Sequence, residues 1–331
     1  MSGARAAAGV IVVGLGAWAL AAVFAPPEPA APARAFTSSR QCAQCHAQVF
    51  AEWRESWHAR SWDDPDVRAL SNDFSNTDCI DCHAPRPVFE TGIGQRVLPR
   101  SSRRSEGVDC IACHALADGA VAGTIDRPSA PCRPVAMIEL QRPEFCGGCH
   151  DQHQTVQEWR ASRWFEQGVS CLDCHMPFRA GDPKRGRDHR CLGGHDLALV
   201  RSAVELRGRR AAGAWLIEVE NVGAGHSFPT DERSRAADLF WRPLAAAGAD
   251  PGPWRHFYRF RSPYRHEVDV VENLLAAHET RAVPLDDPQA DGAIEVALFY
   301  KLTPYYADPE RPDPEAPVNA ATLVHRLELT P

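Results

Sequence analysis

The pattern Cys-x-x-Cys-His occurs five times in this chain, at Cys42/Cys45/His46, Cys79/Cys82/His83, Cys110/Cys113/His114, Cys146/Cys149/His150 and Cys171/Cys174/His175. At this cysteine and histidine content, chance places on the order of 0.02 such motifs in a chain of the same length. Two other chemistries use paired cysteines. Structural zinc takes Cys-x-x-Cys units in facing pairs, and thioredoxin-like sites use one pair for thiol exchange. Neither accounts for a histidine directly after every pair. Covalent haem does. Each thiol adds to one porphyrin vinyl group, and the two intervening residues let both sulfurs reach neighbouring pyrroles. The adjacent histidine then lies under the iron and supplies its proximal nitrogen. The motifs therefore imply five covalent haem c groups, none marked by a lysine in place of the histidine.

A chain with this many cofactors folds around them. From Phe36 to Asp196 it carries a haem motif about every three dozen residues or fewer and few long apolar runs, so the porphyrins supply most of the apolar core. Short helices, long loops and closely packed haems follow. The basic stretches 96–104 and 179–190 pair with haem propionates or are solvated loops.

Export is the other consequence, because haem c is attached outside the cytoplasm. Arg5 precedes an apolar run from Ala6 to Ala25, followed by a Pro/Ala-rich stretch ending at Ala35. This reads as an export signal, cleaved after Ala33-Arg34-Ala35 or after Val23-Phe24-Ala25. The run is also near the ~20 residues that span a bilayer, so an uncleaved anchor is the other reading. Residues 1–35 are thus signal or anchor with linker. The chain is placed in the periplasm, on the outer face of the inner membrane, or outside the cell. A net charge of −7 gives no reason to expect a nucleic-acid partner.

Electron-carrying haems take a sixth ligand, usually His or Met. Met is scarce: Met1 is in the signal, Met176 directly follows a proximal histidine, and Met137 is isolated. Bis-His ligation with low reduction potentials is expected. Val49, Phe50, Trp53 and Trp57 suggest one amphipathic helix from Ala47 to Trp62. On it His58 lies about 18 Å beyond His46, too far to serve the same haem, so it serves another. A partial repeat relates Glu52-Trp53-Arg54-Glu55-Ser56-Trp57-His58 to Glu158-Trp159-Arg160-Ala161-Ser162-Arg163-Trp164. Trp164 stands where the first copy has His58. The nearest replacement is His153, on the same helix face as His150, where it serves another iron or is a solvent-facing residue. His189, His195 and His226 sit in loops, the last two flanked by glycines that let backbone approach a flat ring. His256, His266, His278 and His325 lie in strand-like sequence or without glycine flanks and read as ordinary. Cys132 and Cys191, the two thiols outside the motifs, pair as a disulfide, stay free, or ligate a haem.

These segments resemble the multihaem cytochrome family related to the tetrahaem electron acceptor of hydroxylamine oxidoreductase. The likeness lies in the first motif followed by residues 52–58, in Gly193-Gly194-His195-Asp196, and in Asn221-Val222-Gly223-Ala224-Gly225-His226 through Phe228-Pro229-Thr230. It spans roughly residues 37 to 230 and implies distal-ligand roles for His58, His195, His226 and His189. It departs at Trp164, at Cys191 (where an aromatic is usual) and in having five motifs rather than four.

From Leu197 the texture changes. Residues 204–219 alternate apolar and polar around Gly208 and Gly213, as in a hairpin. Further strands are expected at 237–241, 256–260, 268–271, 281–283, 294–300 and 323–329. The expected class is α+β, with a haem domain over 36–196 and a β-sandwich over 197–331. Three functions fit. The first is an electron conduit served by other redox proteins or a membrane quinol-oxidising complex. The second is a reductase or oxidase of small nitrogen or sulfur compounds with one open haem. The third is a subunit of a larger cytochrome assembly or filament.

Overall fold

A computed structural model describes residues 29–151, 154–230, 235–245, 249–250, 252–263, 271–302 and 321–331. The apolar N-terminal run, His153 and His266 lie outside these residues. Among the described residues no helix is long and apolar enough to cross a membrane.

Four of the haem motifs lie within helices about one or two turns long: Asp78–His83, Cys110–His114, Pro143–His150 and Cys171–His175. A turn brings residues three and four apart to one face, which gathers both thiols and the histidine. The first motif departs from this. Its 3-10 helix, Ser39–Gln44, ends before the second thiol, so Cys45 is the C-cap and His46 lies beyond it. The Cys45 and His46 amides both donate to the Cys42 carbonyl, at 3.2 and 2.9 Å, which keeps the three side chains on one turn. Polar caps start several of these turns: Ser38 accepts from the Arg40 amide, Asp109 from the Ala112 amide, and Ser170 forms a capping box with Asp173.

The single helix expected from Ala47 to Trp62 is two helices, Ala47–Glu55 and Trp57–Arg60. Ser56 breaks it with extended backbone (φ −73°, ψ 157°). Its hydroxyl donates to the Trp53 carbonyl at 2.6 Å and accepts from the Ala59 amide at 3.2 Å, ending one helix and capping the next. The break re-aims His58. Buried apolar residues are few here, the main cluster being Phe74, Ile80 and Ala84 with Trp62 and Val67 against them. Between the third and fourth motifs two short parallel strands pair, β1 (Val121–Gly123) and β2 (Pro134–Ala136).

The helix Leu197–Ala203, capped by Asp196, leads into seven longer strands. They are β3 (Val204–Ala211), β4 (Ala214–Asn221), β5 (Ala236–Pro243), β6 (Arg255–Arg261), β7 (Thr280–Leu285), β8 (Ile294–Lys301) and β9 (Ala321–Leu329). β3 and β4 form the expected hairpin, turning at Ala212-Gly213 with positive φ at both, while Gly208 lies within β3. The antiparallel sheets β3-β4-β7 and β6-β5-β8-β9 face each other across one apolar core. That core takes Trp215, Ile217 and Val219 from one sheet and Leu239, Trp241, Val296 and Leu298 from the other. The α+β architecture is the one the sequence implies. Of the expected strand at 268–271 only Val271 is described, and it lies in no strand.

The four-stranded sheet is buried on its second face too. Phe240, Ala297, Phe299 and Ala321 cluster there with Trp254 and Leu323. The same face carries Asp238, Glu295 and Lys301, all buried. Asp238 receives Arg259 Nε at 2.6 Å and Arg259 Nη2 at 2.9 Å, and Glu295 pairs with Arg242 and Arg326.

Candidate metal centres

Three of the motif histidines face a second imidazole from elsewhere in the chain. The ring centroids of His150 and His58 are 6.0 Å apart, those of His114 and His189 6.4 Å, and those of His175 and His226 6.2 Å. A metal–imidazole bond is about 2 Å and a ring centre lies a little over ~1 Å behind its nitrogen. Two imidazoles on one iron therefore stand roughly 6 Å apart by the same bond lengths. The observed spacing leaves room for one metal ion between each pair of rings.

The ring nitrogens are sorted to match. Nδ1 lies 2.8 Å from the Ser61 carbonyl in His83, 2.8 Å from the Ala122 carbonyl in His114, and 2.7 Å from the Leu192 carbonyl in His175. On the opposing side, Nδ1 lies 2.9 Å from the Arg187 carbonyl in His189 and 3.0 Å from the Ser227 carbonyl in His226. A carbonyl only accepts, so each Nδ1 carries the proton and Nε2 is the unprotonated ring nitrogen. Burial adds to this. It pulls His58 down to about 4 and holds His114 and His189 below the usual histidine value, favouring the neutral form a metal needs.

The fold delivers each facing ring differently. His58 arrives through the break at Ser56. His189 sits in the loop after the fifth motif. His226 rests on a loop that the buried Asn221 organises: its side-chain amide donates to the His226 carbonyl at 2.9 Å, and its carbonyl oxygen accepts from the Ala224 amide at 3.1 Å. Gly223 is required there, since a Cβ would lie 2.1 Å from the Ser202 carbonyl oxygen. The role of Asn221 is not readable from sequence, although its place at the head of the glycine-rich block is the available signal.

Of the other predicted positions, the described ones, His46, His83 and His195, are not brought into such pairs. Among the described residues no imidazole stands across from His46 or His83 at this spacing; the nearest ring to His83 is Phe74 at 5.7 Å. His195 stacks on Trp57 at 3.5 Å between centroids, and its Nδ1 is buried without a hydrogen-bond partner. Burial lowers it to about 3. Of the histidines read as ordinary, His256 faces Asp238 at 3.6 Å. His278 Nε2 accepts from the Arg163 amide at 3.1 Å, and His325 Nε2 lies 2.8 Å from the Val204 carbonyl.

The predicted attachment thiols are not equally enclosed. Cys45 and Cys174 are exposed, whereas Cys42, Cys79, Cys82, Cys110, Cys113, Cys146, Cys149 and Cys171 are half-buried. Cys174 still sits on its helix, but Cys45 combines exposure with a place past the end of its own. The first motif thus differs from the other four at Cys45. The physical reason is that a 3-10 helix seldom runs beyond three or four residues, and this one begins three residues before Cys42.

The attachment sulfurs of different motifs are neighbours. Cys42 of the first motif shares a hydrogen bond with Cys110 of the third, and Cys82 of the second shares one with Cys149 of the fourth. Those interactions and burial push the Cys110 and Cys149 thiols well up. Cys132 and Cys191 are both free thiols, so the disulfide reading is not what the structure holds. Burial pushes Cys191 up to about 12. The basic stretches are committed to carboxylates: Arg96 to Asp81 and Asp78, Arg100 and Arg103 to Asp109, Arg179 to Glu52, Arg187 to Asp173, and Arg190 to Asp188. Arg104 reaches the Arg100 carbonyl instead, at 2.9 Å.

Residues 41–115, which hold the first three motifs, match the family model for cytochrome c554 and c-prime. Residues 130–185, which hold the last two, match the N-terminal region of the NapC/NirT cytochrome c family. No curated protein matches the sequence. The fold is similar to the crystal structure of a penta-heme cytochrome c552 from Thermochromatium tepidum, with a TM-score of 0.65 and 20% identity over 89% of this chain and 98% of that one. The likeness is to multihaem c-type cytochromes.

Proposed function

We propose that this chain is an electron-transfer cytochrome that binds five covalent haem c groups and passes electrons along them without breaking a substrate bond. The observation that carries the reading is the set of three His–His ring pairs at 6.0–6.4 Å, each joining a motif histidine to one from another segment. The proposed axial pairs are His150/His58, His114/His189 and His175/His226. His195 is proposed as a fourth distal ligand, since a metal bond would satisfy a ring nitrogen that is otherwise buried and unpaired. His153 remains the candidate for the fifth. The ten motif cysteines make the thioethers, with Cys45 joining Cys42 on the first haem from its exposed position at the helix end. Bis-His ligation keeps potentials low, and the hydrogen-bonded sulfurs of different motifs support a reading in which the porphyrins lie close enough to exchange electrons.

The chain is proposed to comprise a haem domain over 36–196 and a β-domain over 197–331, held at the periplasmic face of the inner membrane or released from it. Its partners are other redox proteins or a membrane quinol-oxidising complex. Kinship with the acceptor of hydroxylamine oxidoreductase rests on the sequence blocks alone. The test is electron paramagnetic resonance of the holoprotein and of His58→Ala, His189→Ala and His226→Ala. Each variant should convert one haem from low to high spin. Variants that leave every haem low-spin would refute the ligand pairs.

A second reading has one supporting observation, the want of a facing imidazole at His46 and His83 among the described residues. A haem open at its sixth position would bind nitric oxide or cyanide and reduce or oxidise a small nitrogen or sulfur compound. Five low-spin haems that refuse cyanide would eliminate it.

A further inference from the structure

The two copies of Glu-Trp-Arg-x-Ser make the same pair of contacts. Trp53 Nε1–H donates to the Val108 carbonyl at 2.8 Å, and Trp159 Nε1–H donates to the Val169 carbonyl at 3.0 Å. Val108 and Val169 hold equivalent places, each in a Gly-Val-x-Cys stretch two residues ahead of a motif, the third and the fifth. The neighbouring glutamates reach the other way. Glu52 accepts from the His189 amide at 3.0 Å and from Arg179 Nε and Nη2 at 2.6 and 2.5 Å. Glu158 accepts from the Ser227 amide at 2.8 Å and its hydroxyl at 2.7 Å. His189 faces the third motif's His114, and His226, next to Ser227, faces the fifth motif's His175. In each copy the tryptophan thus grips the proximal segment of one site, and the glutamate grips the distal loop of that same site.

The distal loops have no sequence in common, and they leave different elements of the fold. One follows the fifth motif and the other follows β4. Shared ancestry of the Glu-Trp-Arg-x-Ser copies explains the common tryptophan contact. It does not explain why both glutamates end on the loop that faces the very motif the tryptophan holds. The serine of each copy locks its turn, donating to the Trp53 carbonyl at 2.6 Å and to the Trp159 carbonyl at 2.7 Å. Gly225 packs directly on the second copy, where a Cβ would lie 2.9 Å from Trp159 Cδ1.

We propose that each Glu-Trp-Arg-x-Ser unit is an axial clamp, with Glu52 and Glu158 the positioning residues that set the distal histidines His189 and His226 against their proximal partners. Outer contacts of this kind orient a ligand ring and tune the metal it binds. The inference rests on the axial pairs proposed above.

The test uses the holoprotein with Glu52→Gln, Glu52→Ala, Glu158→Gln and Glu158→Ala, read by paramagnetic resonance and by spectropotentiometric titration. The reference variants are His189→Ala and His226→Ala. The Glu52 variants should shift the g-values and midpoint of one haem only, the haem that His189→Ala converts to high spin. The Glu158 variants should act only on the haem that His226→Ala converts. The alanine variants should convert part of that one haem to high spin, and added imidazole should restore it. Combining Glu52→Ala with His189→Ala should add nothing to His189→Ala alone. If the histidine variants convert one haem each and the glutamate variants shift none, or shift all alike, the clamp is wrong and the ligand pairs stand. If His189→Ala and His226→Ala convert nothing, the ligand pairs fail and the clamp fails with them. Should the alanine variants not accumulate, the glutamine variants and Ser227→Ala, which removes only the hydroxyl donor, give the same readout.

Discussion

Replacing Arg100 with methionine removes the buried guanidinium that ties the second haem motif to the third. Its side chain is 5% exposed. All five N–H groups of an arginine have an acceptor here: Nη1 reaches the Pro85 carbonyl at 3.0 Å and Asp109 at 3.3 Å, Nε reaches the Ser102 carbonyl at 3.1 Å, and Nη2 reaches the Arg103 and Gly107 carbonyls at 2.7 and 2.5 Å. Pro85 follows the second motif by two residues, and Asp109 caps the helix that begins with Cys110. Methionine keeps the stem and deletes the charge. Breaking a buried ion pair from one side costs about 3–5 kcal/mol, and Asp109 retains Arg103, so the lower end applies. The Pro85 and Gly107 carbonyls each lose a buried bond worth about 1 kcal/mol. The total is roughly 5 kcal/mol, which in a chain of this length lowers the melting temperature by on the order of 10 °C or more. Thermal unfolding followed by near-ultraviolet circular dichroism measures it, and intact mass reports whether the third motif still acquires haem. Arg100→Lys, which keeps the charge and only part of the fork, should fall between. A methionine variant melting within about 2 °C of the parent with all its haem would refute the reasoning.

Two further outcomes follow from the second face of the four-stranded sheet. Burial alone would raise the Asp238 carboxyl, but the nearby His256 ring and the hydrogen-bonded Arg259 guanidinium outweigh it and hold the group below its ordinary 3.8. Asp238 therefore contributes stability that is present above the unfolded value and is lost as pH falls below it. Asp238→Asn should cost about 2–4 kcal/mol at pH 7 in urea unfolding, with the gap narrowing as pH falls below the ordinary carboxylate value; a gap that stays constant on acidification would sink the idea. Burial lowers Lys301 from 10.5 to about 8. Between those values the unfolded chain binds the extra proton, so stability rises with pH, by up to about 3 kcal/mol from this group. Lys301→Met should flatten that rise between pH 8 and pH 10.5, and an unchanged slope would show that Lys301 does not titrate there.

Proximal chemistry was legible because it is local. Two thiols and a histidine within five residues need only one turn to present themselves, and Cys171–His175 does so without help from distant segments. Cys45 marks where that reasoning stops, because the motif spells out the turn but not where the surrounding helix ends. The strands were legible for a related reason. The stretch 294–300 is apolar but for Glu295 and was expected as a strand, and β8 is buried at every position. Ser56 shows the limit of pattern reading. The apolar spacing around it continued through a residue whose hydroxyl caps a new helix, and a serine inside a helical pattern was the signal to weigh. The glutamates of the repeat were visible as residues but not as positioning groups, since a surface glutamate and one aimed at a distal loop look the same in sequence.

The count of Cys-x-x-Cys-His motifs, the bis-His expectation drawn from scarce Met, and the α+β class thus came from the sequence itself. Which histidine faces which was decided only by tertiary structure. His58 meets His150, His114 meets His189 and His175 meets His226 across loops whose closure depends on Ser56, Glu52, Glu158 and Asn221. The physical reason is the range of the forces. A thioether motif is set by bond lengths within one turn, whereas an axial pair is set by hydrogen bonds and packing that join segments far apart in the chain.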